Sequence, residues 1–158
     1  MANRSHIANK KKGTTTMYEN VLLASDASDQ SKAAAREVNR LIKFGLVKKL
    51  TILNVGNTFL QNLDNTIVNI AQVNEAVQDL GQKLVSATRE IITEDIEIVE
   101  KVLLGDPPQI ICEEAEKLGS DLIVMGSRGR NPISGLLLGS VSTRVLQCAS
   151  CPVLVVKK

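Results

Sequence analysis

Short apolar runs alternate with longer amphipathic stretches from residue 19 to the end of the chain. Apolar runs of about four to eight residues that are bounded by turn residues are typical of strands. The first run resembles strands that are buried on both faces, whereas the third alternates apolar with charged residues, which places it nearer a sheet edge. The predicted strands are Asn20–Ala24, Leu50–Val55, Glu97–Leu104, Leu122–Met125 and Cys151–Val156.

The amphipathic segments between these runs are predicted to be helices, because their apolar residues recur at intervals of three and four. Gly81 lies inside the second helix, where it costs about 1 kcal/mol relative to alanine, and we expect it to allow close packing against a neighbour. Capping residues indicate the other ends. The predicted helices run from Ser28 or Asp29 to a C′ glycine at Gly45, from about Asn65 to Ile92, from Asp106 and Pro107 to Leu118 with Gly119 as the stop, and from Ser140 to Cys148.

The alternation of strands and helices predicts an α/β domain in which a parallel sheet carries helices on both faces, giving three layers. In such sheets ligands bind beyond the carboxyl ends of the strands, where the strand order reverses. Three loops leave those ends, at Ser25-Asp26, at Val55-Gly56 and from Gly126 onward. We therefore expect a functional site to be built from these loops.

The first 16 residues differ from the rest of the chain. They are polar, hold four of the 19 basic residues and contain no acid, whereas all 17 acidic residues come later. We predict a disordered tail over residues 1–16 and a folded domain over residues 17–158. The lysines at 10–12 fit a solvated charge run, with a tethering patch as the alternative. His6, the single histidine of the chain, lies in this tail, so the fold has no histidine that could act as a base.

Composition excludes several functional classes. The folded part is slightly acidic and the chain has no Trp, one Tyr and two Phe, which argues against nucleic acid as a main partner. No apolar run approaches the roughly 20 residues that span a bilayer, and no apolar segment of a secretory signal follows the N-terminal charges. We therefore expect no membrane association and a cytoplasmic location.

The three cysteines are an odd number and do not suggest a disulfide framework, which fits a reducing cytosol. Cys148 and Cys151 have the Cys-x-x-Cys spacing, but Cys148 is predicted at a helix C-terminus, where the helix dipole disfavours a thiolate. A zinc site lacks further ligands, because Cys112 is distant in the sequence and no histidine is near. We expect structural cysteines.

The segment from Gly126 to Ser140 carries the clearest chemical signal. Its glycines at 126, 129, 135 and 139 match neither the Gly-Lys-Ser/Thr of a P-loop nor the Gly-x-Gly-x-x-Gly dinucleotide motif. Gly126 and Gly129 would let the backbone approach a ribose and a phosphate, while Gly139, Ser140 and Ser142 would offer donors at a helix N-terminus. Arg128 and Arg130 would add charge-assisted hydrogen bonds. A set of tight turns without a ligand is the alternative.

The spacing Gly126-x2-Gly129-x9-Gly139-Ser140 resembles the ATP-binding signature of the universal stress protein family. Further blocks are similar to the family over about residues 18–158. They are Asn20-Val-Leu-Leu-Ala-Ser-Asp26-Ala-Ser28, Gly105-Asp-Pro107, Asp121-Leu-Ile-Val-Met-Gly126-Ser-Arg-Gly129 and Cys151-Pro-Val-Leu-Val-Val156. Two features depart from the common pattern: Ala27 stands where many relatives have glycine, and Pro132 with Gly135 alters the middle of the loop.

The resemblance implies a five-stranded parallel sheet in the order 3-2-1-4-5, the adenine nucleotide alpha hydrolase-like fold, and a homodimer. We expect the dimer to pair the strand Val153–Val156 with its mate and so cover an open sheet edge. The resemblance also implies ATP, or ADP or AMP, with Mg²⁺ bridging the phosphates and Asp26 near the adenosine or the metal. The implied binding residues are Ala24, Ser25, Asp26, Val55 (through its backbone, at the adenine), Gly126, Ser127, Arg128, Gly129, Arg130, Gly139, Ser140, Val141 and Ser142.

Three functional hypotheses remain open at this point. The first is a regulatory stress-response protein whose ATP occupancy controls its shape or partners. The second is a slow Mg²⁺-dependent ATP hydrolase or a nucleotidyl-transferring enzyme, for which Asp26 is the one obvious base. The third is a dimeric scaffold that binds no nucleotide.

Overall fold

The computed structural model of the protein describes residues 17–57, 70–130 and 137–158. The predicted disordered tail, the predicted helical residues 65–69, and Pro132 and Gly135 lie outside these ranges. Within them, no helix is both long and apolar enough to cross a membrane.

Five strands and four helices alternate along the described residues. The strands are β1 (Tyr18–Ala24), β2 (Val47–Gly56), β3 (Glu97–Leu104), β4 (Leu122–Gly126) and β5 (Val153–Val156). The helices are α1 (Asp29–Lys43), α2 (Ile70–Arg89), α3 (Pro107–Leu118) and α4 (Ser140–Cys148). All described strand pairs are parallel and the order is β3-β2-β1-β4-β5, which confirms the predicted fold and places β3 at an edge.

The central strand β1 has a core on each of its faces, because successive side chains of a strand point to opposite sides. Val21 and Leu23 pack in one core with residues of α1 and α2, whereas Leu22 and Ala24 pack in the other with residues of α3 and α4. The domain is therefore three-layered, as predicted. The strand order reverses beside β1, where β2 leads to one edge and β4 to the other.

The ends of the helices follow the expected capping chemistry. The Ser28 hydroxyl accepts a hydrogen bond from the Ser31 amide at 3.3 Å and caps α1, which decides between the two candidate N-caps. Gly45 and Gly119 have φ of +71° and +60° and end α1 and α3. Gly81 is buried in α2, and a Cβ there would lie 2.4 Å from Cγ1 of Val102, so the expected close packing against β3 is confirmed.

Cys112 of α3 and Cys148 of α4 form a disulfide, with their Cα atoms 6.2 Å apart. The expectation that the cysteines do not pair is therefore wrong for this pair. The two residues are 36 positions apart in the chain, and they meet because α3 and α4 pack side by side on the same face of the sheet. Cys151 is the free cysteine of the described residues, and burial raises the pKa of its thiol.

Candidate functional site

A cavity of about 670 Å³ opens at the carboxyl ends of β1, β2 and β4. All the binding residues expected from the sequence line it except Ser127. Part of its wall is apolar and continuous with the core beneath α3 and α4, through Ala24, Leu53, Val55, Ile111, Met125 and Val141. The rest is made by the loops after β1 and β4 and by the start of α4, which carry polar groups and glycines.

The Asp26 carboxylate ties the loop after β1 to the loop after β4. Its Oδ1 accepts from the Ser28 amide at 3.0 Å and lies 3.0 Å from the Ser31 hydroxyl. Its Oδ2 accepts from the amide of Arg130 at 2.9 Å, across 104 positions of sequence. Asp26 therefore fixes the relative position of two loops of the cavity, in addition to lining the cavity itself.

Two of the loop glycines are required by contacts within the protein. A Cβ on Gly126 would lie 2.8 Å from backbone atoms of Gln30 and Ser31, so the first turn of α1 packs directly on the end of β4. A Cβ on Gly129 would lie 2.9 Å from Oδ2 of Asp26. In the described structure these positions let α1 and the Asp26 carboxylate come close, whereas the sequence suggested room for a ligand alone.

Ser127 closes the loop from beneath rather than from within the cavity. It is buried; its carbonyl accepts from the Gly139 amide at 2.7 Å and from the Ser142 hydroxyl at 2.9 Å, and its amide donates to the carbonyl of Val156. These bonds hold the start of α4 against the end of β4. Ser127 is thus a framework residue, in a position where the sequence suggested a ligand contact.

The start of α4 and Arg128 both offer donors that no described residue satisfies. Gly139 occupies the N-cap position and has no side chain with which to cap the helix. Among the described residues, Nε of Arg128 is the buried side-chain polar atom that lacks a hydrogen-bond partner. A buried guanidinium N–H without an acceptor, beside an uncapped helix N-terminus, fits an anion bound in this part of the cavity.

Asp106 lies at the N-cap position of α3, as predicted, but its side chain does not cap the helix. Its carboxylate accepts two hydrogen bonds from the guanidinium of Arg144, from Nη1 to Oδ1 at 3.2 Å and from Nη2 to Oδ2 at 2.8 Å. Arg144 lines the cavity one helical turn after Ser140, so this pair joins α3 to α4 at the rim. The bidentate geometry explains why the aspartate leaves the helix end uncapped.

Ala27 has φ of +57°, the left-handed region that alanine disfavours by roughly 1–2 kcal/mol. We expect Ala27→Gly to raise the free energy of unfolding by about 0.5–1 kcal/mol, because relief of this strain exceeds the added freedom of the unfolded chain. Urea denaturation checks this, with Ala34→Gly in the buried face of α1 as a control that should destabilise; a destabilised Ala27→Gly protein would contradict the expectation.

Several residues of the cavity were not anticipated from the sequence. They are Ser31, Leu53, Asn54, Asn57, Pro107, Ile111, Met125, Leu138, Thr143 and Arg144. Pro107 and Ile111 come from the first turns of α3, which packs on the same face of the sheet as α4. The sequence predicts a site built from three loops alone, whereas these two residues lie on a helix. They could have been found by assigning each predicted helix to one face of the sheet.

Metal binding by the protein alone is not built into the described residues, where no three His, Cys, Asp or Glu side chains come together. Asp26 is the carboxylate among the described cavity residues, and both of its oxygens already accept hydrogen bonds from the protein. The arrangement can bind an anion and an apolar ring.

The chain matches the model of the universal stress protein family over residues 17–157. It is 33% identical to the universal stress protein MJ0531 of Methanocaldococcus jannaschii over 143 residues, which cover 90% of this chain and 84% of that protein. The solved structure of protein MJ0577 from the same organism has a TM-score of 0.68 and 28% identity, covering 90% of this chain and 98% of that one.

A universal stress protein solved in complex with cAMP shares the fold with a TM-score of 0.67 and 23% identity, over 89% of this chain and 98% of that one. The family match covers nearly all of the predicted folded domain, and solved members of the family share this α/β fold. The chain belongs to the universal stress protein family.

Proposed function

We propose that this protein binds an adenine nucleotide, with ATP as the leading ligand, in the cavity at the carboxyl ends of β1, β2 and β4. The observation that carries the proposal is the unpartnered Nε of Arg128 beside the uncapped start of α4. An acceptor-rich anion such as a phosphate supplies what both groups lack. In this proposal nucleotide occupancy regulates the shape or the partners of a stress-response protein.

The two kinds of wall in the cavity suit the two parts of a nucleotide. The apolar wall around Val55, Met125 and Val141 is a surface for the flat adenine ring, with the backbone of Val55 at the ring edge. Ser140, Gly129 and Gly139 lie where ribose and phosphates would be held. The Ser142 hydroxyl is buried and donates to the Ser127 carbonyl, so this residue could offer its backbone amide but not its hydroxyl hydrogen. Arg130 adds positive charge at the open side of the loop.

The related protein that was solved with cAMP supports the proposal at the level of the fold, since it shows that this architecture accommodates an adenine nucleotide. The residue-level support comes from this chain. Mg²⁺, if bound with the nucleotide, would offset the charge of the phosphates. Asp26 is the protein carboxylate that could contact such an ion, and its hydrogen bonds to Ser28 and Arg130 would position it for that role.

Arg128 provides the first test of this proposal. We expect Arg128→Met to raise the dissociation constant for ATP by about 10- to 100-fold, because a hydrogen bond to a charged group contributes about 1.5–3 kcal/mol. Isothermal titration calorimetry on the purified protein measures the change. Arg40→Met is the matched control, since Arg40 is exposed on α1 and pairs with Glu37.

Equal ATP affinity in Arg128→Met and the wild-type protein would contradict the placement of phosphate at Arg128. An equal loss in Arg128→Met and Arg40→Met would show that general charge, and not this contact, attracts the ligand.

We also propose that two copies of the chain pair through β5. Among the described strands β5 lies at an edge of the sheet next to β4, and its Leu154 is 38% exposed. An uncovered edge strand offers unpaired backbone groups to a second copy.

Sedimentation equilibrium tests this pairing. We expect the wild-type protein to be a dimer and Leu154→Lys to be a monomer, with Leu146→Lys on α4 as the control that stays dimeric. A monomeric wild-type protein would contradict the proposed pairing.

A further inference from the structure

We propose that Thr88, a residue of α2 outside the cavity, is a positioning residue that sets the turn carrying Asp26, so that α2 controls the affinity of the site. This inference rests on the proposed function for its ligand, but its structural part can be tested without one. Thr88 is fully buried near the C-terminal end of α2 and does not line the cavity.

The hydrogen bonds around Thr88 have a fixed direction. The Thr88 hydroxyl donates to the carbonyl of Leu84 at 2.8 Å, and a carbonyl can only accept. Thr88 has one hydroxyl hydrogen, so in the contact of 2.7 Å between the hydroxyls of Ser25 and Thr88 the donor is Ser25. The Ser25 oxygen in turn accepts from the amide of Ala27 at 3.2 Å.

This direction changes the role of Ser25. Its hydroxyl hydrogen is committed to Thr88, so Ser25 cannot donate to a phosphate or a ribose while this arrangement holds. Its carbonyl accepts from the side-chain amide of Asn54 at 2.8 Å, and its amide donates to the carbonyl of Leu53 at 2.9 Å. Ser25 is thereby held at three points by buried partners, and it acts as the fixed base of the turn that follows.

A second contact connects α2 to the same turn. Gly81 of α2 lies so close to Asn54 that a Cβ on Gly81 would be 3.0 Å from Oδ1 of that side chain. Asn54 and Thr88 are both buried, at 5% and 0% exposure, so neither can exchange its partner for water without a shift of the helix. Helix α2 therefore contacts Ser25 directly through Thr88, and at Gly81 it packs against Asn54, which is itself a hydrogen-bond partner of Ser25.

The turn passes this constraint to the cavity. Ser25 precedes Asp26, whose carboxylate holds the amide of Arg130 and so fixes the loop after β4. The amide of Ala27, which Ser25 holds, belongs to the residue with the strained positive φ. Loss of the Thr88 contact should let this turn relax and loosen the Asp26 tie, although no atom of Thr88 would touch the nucleotide.

The test uses the full-length protein and the substitutions Thr88→Val and Thr88→Ser. Valine keeps the shape but removes the hydroxyl, whereas serine keeps the hydroxyl. We expect Thr88→Val to raise the dissociation constant for ATP about 10-fold and Thr88→Ser to leave it within about twofold of wild type. Equal affinities in wild type and Thr88→Val would overturn the inference and leave the proposed function intact.

A double-mutant cycle with Ser25→Ala separates positioning from general destabilisation. If the two residues act through one contact, the double variant Ser25→Ala/Thr88→Val should bind ATP no more weakly than the weaker single variant. Additive losses would overturn the inference. Ser25→Ala also provides the test if Thr88→Val does not fold.

Amide hydrogen exchange gives the readout that needs no ligand. In the unliganded protein we expect Thr88→Val to speed exchange at the amides of Ala27 and Arg130, and Thr88→Ser to leave both unchanged. Unchanged exchange at both amides in Thr88→Val would overturn the inference. Faster exchange together with an absence of nucleotide binding in the wild-type protein would retain the positioning role and reject the proposed function.

Discussion

Replacing Gly126 with alanine is expected to lower the free energy of unfolding by about 2–3 kcal/mol, since added atoms in a closely packed region typically cost that much. The new Cβ would lie 2.8 Å from the carbonyl carbon of Gln30 and from the amide nitrogen of Ser31. These are backbone atoms of the first turn of α1, and they cannot move aside as a flexible side chain could. Relief requires that α1 shift away from the end of β4.

The same shift should weaken nucleotide binding, because Ser31 lies beside the Asp26 carboxylate. Urea denaturation followed by circular dichroism measures the stability, and calorimetry measures the affinity for ATP. Gly139→Ala is the matched control: Gly139 has φ of −77°, and the nearest atom to its new Cβ would be Cα of Arg128 at 3.4 Å, an ordinary contact distance. We expect its unfolding free energy to stay close to wild type; an equally stable Gly126→Ala protein would contradict the packing argument.

Replacing Lys101 with methionine is expected to destabilise the protein by about 3 kcal/mol, because it leaves a buried carboxylate without its main partner. Lys101 of β3 forms an ion pair with Glu114 of α3, whose side chain is 6% exposed. Lys117 is a weak substitute, since its ammonium lies 3.8 Å from the other carboxylate oxygen and its side chain is 74% exposed. The expected loss is therefore at the lower end of the range for a broken buried pair.

The control for this prediction is Glu114→Gln, which removes the buried charge and leaves Lys101 able to reach water. We expect it to cost about 1 kcal/mol, clearly less than Lys101→Met. Thermal or urea denaturation near pH 7 compares the two variants. A larger loss in Glu114→Gln than in Lys101→Met would show that the burial of the carboxylate does not decide the energetics.

The sequence predicts the fold closely because the local signals agree with one another. The bounds of β3 and α4 match the predicted ranges, since alternation defines the first and the glycine-serine start defines the second. Strands β1 and β2 begin two and three residues earlier than predicted, β5 begins two residues later, and β2 and β4 end one residue beyond their predicted bounds. Pairing with neighbours in the sheet extends or shortens a strand beyond its local pattern. The caps at Ser28, Gly45 and Gly119 could be predicted because helix capping depends on residues close together in the sequence.

What the sequence does not reveal are contacts between distant segments. From the sequence, Gly126 is predicted to leave room for a ligand, whereas in the structure α1 occupies the space next to it. The sequence predicts that Asp106 caps α3, whereas its carboxylate pairs with Arg144, which is 38 positions away in the chain. The bond between Cys112 and Cys148 likewise depends on how α3 and α4 pack, which no spacing rule supplies.

The candidate site shows the same division. The glycine and serine spacing identifies the cavity, because the residues that approach a phosphate must be small or offer donors. The apolar wall from α3 and the buried chain of hydrogen bonds from Ser25 to Thr88 depend on the faces that the helices cover. These supporting residues set the geometry of the site. They cannot be predicted from local sequence patterns, because long-range packing brings them together.

The most direct test of the central claim is calorimetric titration of the full-length protein, stripped of bound ligand, with ATP, ADP, AMP and cAMP in the presence of Mg²⁺. We predict saturable binding of at least one of these nucleotides with a dissociation constant below about 100 μM and a clear loss of affinity in Arg128→Met. The absence of binding by all four nucleotides at roughly millimolar concentration would contradict the account.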